Sequence, residues 1–148
     1  MANVQVIMSQ SFRHLGSNMK KAVKKGINDC TADLLRVASL RTPVDEGTLE
    51  QSGTSKVSTS SSGVTGQVSF KAVNRGFNYA LKMDKGNYKL GEKSLRKSAS
   101  GVRSSFSSES LKVGKGYLTD TAEKCQKGYV EHVQSKVNEV IRTGGFGK

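Results

Sequence analysis

Apolar residues recur along this chain in two different periods. Met19, Val23, Ile27, Cys30, Leu34 and Val37, continuing to Arg41, follow one another at spacings of three and four, the signature of one face of an α-helix. The same spacing returns through Leu118, Ala122, Cys125, Tyr129, Val133, Val137 and Ile141. The pattern predicts two long amphipathic helices, the first ending near Thr42 and the second opening near Thr119. Asp120 and Glu123 suit the positive end of the second helix dipole and Arg142 the negative end, and Gly144-Gly145 stops it. Each helix contains one glycine, Gly26 and Gly128. A helical glycine costs about 1 kcal/mol relative to alanine, so the pair marks either a close crossing or two tolerated glycines.

Elsewhere the period is two. Val4, Val6 and Met8 form a short alternating run. Ser52 to Ser60 is rich in Ser and Thr around Val57, and Val68, Phe70 and Ala72 alternate with Gln67, Ser69 and Lys71. Tyr79, Leu81 and Met83 make a third alternation. Ser61-Ser62-Gly63 and Asn74-Arg75-Gly76 separate the last three runs, as in an antiparallel meander. The order β, long α, β-β-β, long α predicts a single α+β domain over 1–148. A small antiparallel sheet of three to four strands packs against two long helices, and its other face is polar.

The only proline, Pro43, stands at the junction Thr42-Pro43-Val44-Asp45-Glu46-Gly47-Thr48-Leu49. The residue before a proline is pushed away from α conformation, so the helix stops there. Asp45 and Gly47 supply turn chemistry, and Leu49 is placed to tuck beneath the turn. The expected structure is a hard reversal into the sheet.

Between the last strand and the last helix, residues 84–116 hold eight serines, five glycines, eight Lys or Arg and three acids. A polar stretch of this length is expected to be an extended arm, with a helical turn at Lys93 to Lys97. Its candidate interface residues are Lys85, Tyr88, Lys89, Lys93, Arg96, Lys97, Arg103 and Phe106.

Charge changes the picture more than size does. The 148 residues include 24 Lys and Arg against 12 Asp and Glu, a net charge of +12. Such a balance points to an anionic neighbour. Lys20, Lys21, Lys24 and Lys25 form the candidate basic patch on the first helix, where they could follow a phosphate backbone. A basic nucleic-acid-binding module is therefore the alternative functional reading.

Catalytic chemistry is not supplied. His14 and His132 have no ligand-type residues at metal spacing; His132 reads as part of a solvated face and His14 as part of a turn. No serine sits in a nucleophile elbow, and the glycine-rich pieces lack phosphate-loop spacing. Cys30 and Cys125 fall on apolar helix faces, where free cysteine acts as a small hydrophobe. Neither a cofactor nor a metal is expected. The beginning of the chain reads as no signal peptide, and no run approaches the roughly 18 apolar residues of a membrane span. The expectation is a soluble, non-enzymatic protein made in a reducing cytosol.

The order of motifs resembles a family of small neck proteins of long-tailed bacteriophages, described as minor capsid, tail-completion or head–tail joining proteins. Their pattern runs from a helix ending in Ala, through "(A/T)-P-x-D-T-G-x-L-x-x-S" and strands, to "Y-A-x-x-(hydrophobic)-x-x-G" and a C-terminal helix. Here Ala38 precedes Thr42 to Leu49, with Ser52 following; Tyr79-Ala80-Leu81-Lys82-Met83-Asp84-Lys85-Gly86 is similar to the second motif; and Tyr117-Leu118 through Ala122 opens the last helix. The resemblance covers about residues 30 to 142. Glu46 replaces the usual Thr, and Glu50 stands where a basic residue is common. The resemblance implies a structural role in the virion, as a subunit of a homo-oligomeric ring, often a hexamer. It implies as partners the head-side connector and the tail-tube or tail-terminator proteins, with DNA in the lumen and no membrane. The chain would be made in the host cytoplasm.

Overall fold

A computed structural model describes residues 4–44, 48–74, 76–99 and 101–144. Among them, strand β1 (Val4–Ser11) leads into helix α1 (Ser17–Arg41), and a short α2 (Thr48–Gln51) precedes strands β2 (Thr54–Thr59) and β3 (Gly63–Phe70). Two-residue strands β4 (Val73–Asn74) and β5 (Phe77–Asn78) run into α3 (Tyr79–Lys85) and α4 (Glu92–Ser98). A small hairpin of β6 (Val102–Arg103) and β7 (Ser110–Leu111) then leads to α5 (Thr119–Arg142). The protein is therefore mixed helix and strand, built around a three-stranded antiparallel sheet of order β1-β3-β2.

The register follows from the period of two. Val4, Val6 and Met8 stand opposite Phe70, Val68 and Gly66, so their side chains share the face on which α1 lies. Gln5, Ile7 and Ser9 stand opposite Ser69, Gln67 and Thr65 and face away. Gly66 sits where α1 crosses the sheet: a Cβ there would overlap the Thr31 hydroxyl, which donates to the Ile27 carbonyl at 2.7 Å. Cys30, Leu34, Val37 and Ala38 on α1 are fully buried with Val68, Phe70, Tyr117 and Cys125.

The first reversal is built as its residues dictate. Thr42 takes φ −64° and ψ 136°, the extended geometry that a following proline imposes. Pro43 is buried and Leu49 is 2% exposed; Asp45 and Gly47 lie outside the described residues.

Two expectations are corrected. Tyr79 to Met83 is helix, not a third alternating strand. The Asn78 side chain accepts from the Leu81 N–H at 3.0 Å, capping the segment, and the helical spacing of Ala80, Met83 and Asp84 places all three inside. The run Tyr79, Leu81, Met83 was equally compatible with period two because it is so short. The stretch 84–116 is not an extended arm either. Val102, Leu111 and Val113 are buried core residues. Buried polar groups bind the rest: Ser94 Oγ accepts from the Val44 N–H at 2.8 Å, and the Gly114 N–H donates to the Arg41 carbonyl at 2.9 Å.

Candidate functional site

Strand β1 is an edge of the sheet, and its eight residues VQVIMSQS carry no charge, proline or glycine. Edges of this kind present unpaired backbone groups that favour pairing with another chain. Beside it, β1, α1 and α5 enclose a groove of about 810 Å³, lined by Val6, Leu15, Ile27, Val130, Val133 and other largely uncharged residues. Among the described residues Arg13 is the one charged side chain in that lining. Val130 is 63% exposed at the groove, and Ile7, 54% exposed, stands on the outer face of the same edge strand.

The two helices that border the groove meet at one tight contact. A Cβ at Gly26 would lie 3.1 Å from Val133 Cα, so α1 and α5 meet backbone to side chain there. Gly128 is different: a Cβ there would overlap the Phe106 carbonyl oxygen. One glycine marks a helix crossing; the other admits the β6–β7 loop.

Asp33 holds that loop. Its carboxylate accepts from Ser104 Oγ at 2.5 Å, the Ser105 N–H at 3.2 Å, Tyr129 OH at 2.8 Å and Arg36 at 3.0 Å. Burial pushes the carboxyl up, but these donors outweigh it and hold Asp33 below the usual carboxylate range. Asp29 behaves alike: burial raises it, while Lys25 and His132 lower it further than burial raises it. His132 is only 16% exposed; it pairs with Asp29 at 2.9 Å and lies 4.4 Å from the Phe106 ring. The expectation of a solvated His132 is thus corrected, because Phe106 folds over it. His14 lies in a turn with φ 61°.

The predicted interface residues divide. Lys85, Lys89, Lys93, Arg96 and Arg103 are exposed. Tyr88, Lys97 and Phe106 are turned inward: Tyr88 OH donates to the Met83 carbonyl at 2.5 Å, and Phe106 meets Tyr129 edge-on at 5.8 Å. Lys97 Nζ donates to the Ser39 and Thr42 carbonyls at 3.1 and 2.9 Å and pairs with Glu50 at 3.0 Å. It thereby ties α4 across the end of α1, where a cation complements the helix dipole. The basic patch is brought together in part. Lys20, Lys21 and Lys24 line one pocket of about 300 Å³, whereas Lys25 pairs with Asp29 at 2.5 Å.

Sequence reasoning did not find the groove or the Asp33 network. Asp33 carried a signal, since it falls three residues after Cys30 and four before Val37, on the apolar stripe. The groove carried none, because it arises from how α5 stands off β1. Among the described residues no cluster of three or more His, Cys, Asp or Glu could hold a metal ion, and no helix is long and apolar enough to cross a membrane. Comparison with family models, curated proteins and solved structures finds no match to this chain.

Proposed function

We propose that the chain is a structural subunit of the neck of a long-tailed bacteriophage, joining copies of itself into a ring that completes the tail and links it to the head. The observation that carries this reading is the uncharged edge strand β1 beside a groove whose described lining holds a single charge, Arg13. A polar, basic protein that leaves one edge and one groove almost free of charge has a surface suited to permanent contact rather than to solvent. The two edges β1 and β2 lie on opposite sides of β3. Pairing β1 of one copy with β2 of the next is a head-to-tail contact, and such contacts close into rings when the rotation allows. The motif order around Pro43 and Tyr79 supports the same reading by resemblance.

The test alters the edge without touching the core. Gln5 and Ile7 face away from α1, so Gln5→Lys with Ile7→Lys keeps the fold and places two charges on the pairing strand. Sedimentation should find the wild-type protein as a ring and the variant as a monomer. Electron microscopy of particles lacking the gene, or carrying the variant, should show filled heads beside separate or abnormal tails. Normal infectious particles without the gene would sink the reading.

A further inference from the structure

We propose that the pocket between the start of α1 and the β2–β3 turn holds phosphate groups of a nucleic-acid backbone. Lys20, Lys21 and Lys24 line it with Ser17, Ser60 and Ser61. Among the described residues no carboxylate is in that lining, and none of the three lysines is in an ion pair.

This is an arrangement that a merely solvated face avoids. Lys20 and Lys24 stand one helical turn apart, as do Lys21 and Lys25, and like charges at that spacing destabilise a helix. The first turn of α1 has no acid, so the positive end of the helix dipole adds to the same field. Only Lys25 is offset, by Asp29. On α5 two of the three lysines are compensated, Lys124 by Asp120 and Lys136 by Glu139. A polyanion seated among Lys20, Lys21 and Lys24 relieves the repulsion that the chain leaves standing.

The lining also indicates which polyanion. Lysine and serine side chains contact phosphate and sugar, and the planar Arg, Asn and Gln side chains that read bases through paired hydrogen bonds are absent from the described lining of this pocket. Its aromatic residue, Phe12, is 6% exposed and sits under Lys20, whose Nζ is 5.9 Å from the ring centroid, so no ring is offered for a base to stack upon. The site recognises backbone without regard to sequence. Lys21 also lines the neighbouring depression, but there Lys25 and Lys136 are already paired with Asp29 and Glu139, so the phosphate site is the first pocket. An anionic membrane fits less well, because none of the exposed large apolar side chains lines the pocket to insert.

The test is anisotropy of a short labelled DNA duplex titrated with the full chain at a series of KCl concentrations. Each phosphate contact contributes about 0.9 to the slope of log affinity against log salt. Lys20→Gln/Lys21→Gln/Lys24→Gln should lower that slope by roughly 2 to 3. The charge-matched Lys56→Gln/Lys71→Gln/Lys127→Gln should lower it by less than about 1. Ser61→Asp, which adds a carboxylate on an exposed turn, should weaken binding without removing any lysine. Circular dichroism of each variant keeps loss of fold apart from loss of site. Equal losses in the two triple variants, no duplex binding by the wild type at low salt, or tighter capture by phosphatidylserine vesicles through the same lysines would each overturn the proposal. It does not rest on ring assembly, and sedimentation of the same variants reads assembly separately.

Discussion

The Tyr129 hydroxyl on α5 donates a 2.8 Å hydrogen bond to Asp33 on α1, 96 positions earlier in the chain. The same carboxylate receives Ser104 and Ser105 from the β6–β7 loop. One buried acid therefore joins both long helices to the segment between them.

Asp33→Asn should cost about 2–4 kcal/mol at neutral pH, because it removes a charge-assisted acceptor and leaves buried donors underused. Tyr129→Phe should cost less, about 1–2 kcal/mol. The pH dependence has a definite sign. Asp33 is depressed below its ordinary 3.8 in the folded protein. Its contribution is fully present above that value and is lost as pH falls through the folded-state value. Asp29 titrates in the same direction, so the informative quantity is the difference between wild type and Asp33→Asn. Urea unfolding should show that difference shrinking as pH falls below 3.8; a constant difference would mean that the ionised form is not what matters.

The two helical glycines should behave differently. Alanine at Gly128 meets the Phe106 carbonyl oxygen, and Phe106 is fixed by its N–H bond to Ser104 Oγ at 3.0 Å. Overpacking against backbone should cost more than about 2 kcal/mol. At Gly26 the neighbour is Val133 at 3.1 Å, a contact that a small shift of α5 accommodates. The helix-propensity gain of about 1 kcal/mol offsets that crowding, so Gly26→Ala should stay within about 1 kcal/mol of wild type. Thermal unfolding of the two variants checks this ordering.

These glycines also show what was legible in the sequence. Both long helices could be read, because a spacing of three and four over many residues has one interpretation. The strands around Val6 and Val68 were legible for the same reason at period two. Tyr79 to Met83 was not, since five residues satisfy both periods and Asn78 decides by capping. Residues 84–116 misled by composition: the average is polar, yet Val102, Leu111 and Val113 at irregular spacing complete the core. Of the candidate site, the lysine cluster was visible as a run of charge. That Lys25 leaves it for Asp29 had a local trace, since the two stand four apart on one helix; that Lys97 binds the end of α1 is a tertiary fact with none.

Two buried charges should decide whether the loop before α5 stays in place. Arg41 Nε donates to the Lys112 carbonyl at 2.7 Å and Nη1 to Thr121 Oγ1 at 2.7 Å, and the guanidinium pairs with Asp120 at 3.1 Å. Asp84 accepts from the N–H groups of Leu118 and Thr119 at 3.0 and 3.1 Å, satisfying orphan donors at the start of α5. Arg41→Met should cost about 2–4 kcal/mol, because the Lys112 carbonyl and Thr121 hydroxyl lose a charged donor, while Asp120 is one-third exposed and keeps its solvent. Asp84→Asn keeps an acceptor oxygen and should cost about 1–2 kcal/mol. Limited trypsin digestion gives a local reading: cleavage after Lys112 and Lys115 should quicken strongly in Arg41→Met and modestly in Asp84→Asn.

The cysteines provide a reporter of the groove itself. Cys30 and Cys125 are both fully buried and free. Burial, with Asp29 and Asp33 nearby, pushes the Cys30 thiol up to about 12, and burial likewise raises Cys125. The thiolate is the reactive form, so neither should react with an aromatic disulfide reagent in the native protein at mildly alkaline pH. Both should react at once in urea. Labelling of the native chain should then track opening, and Asp33→Asn should accelerate it through its lower stability. Cys30 also lines the groove between β1 and α5. Selective labelling of Cys30 under native conditions, with Cys125 still protected, would mean that α5 lifts from β1 without global unfolding. A neighbour seated in the groove should suppress that labelling, and Gln5→Lys/Ile7→Lys should restore it at protein concentrations where the wild type assembles.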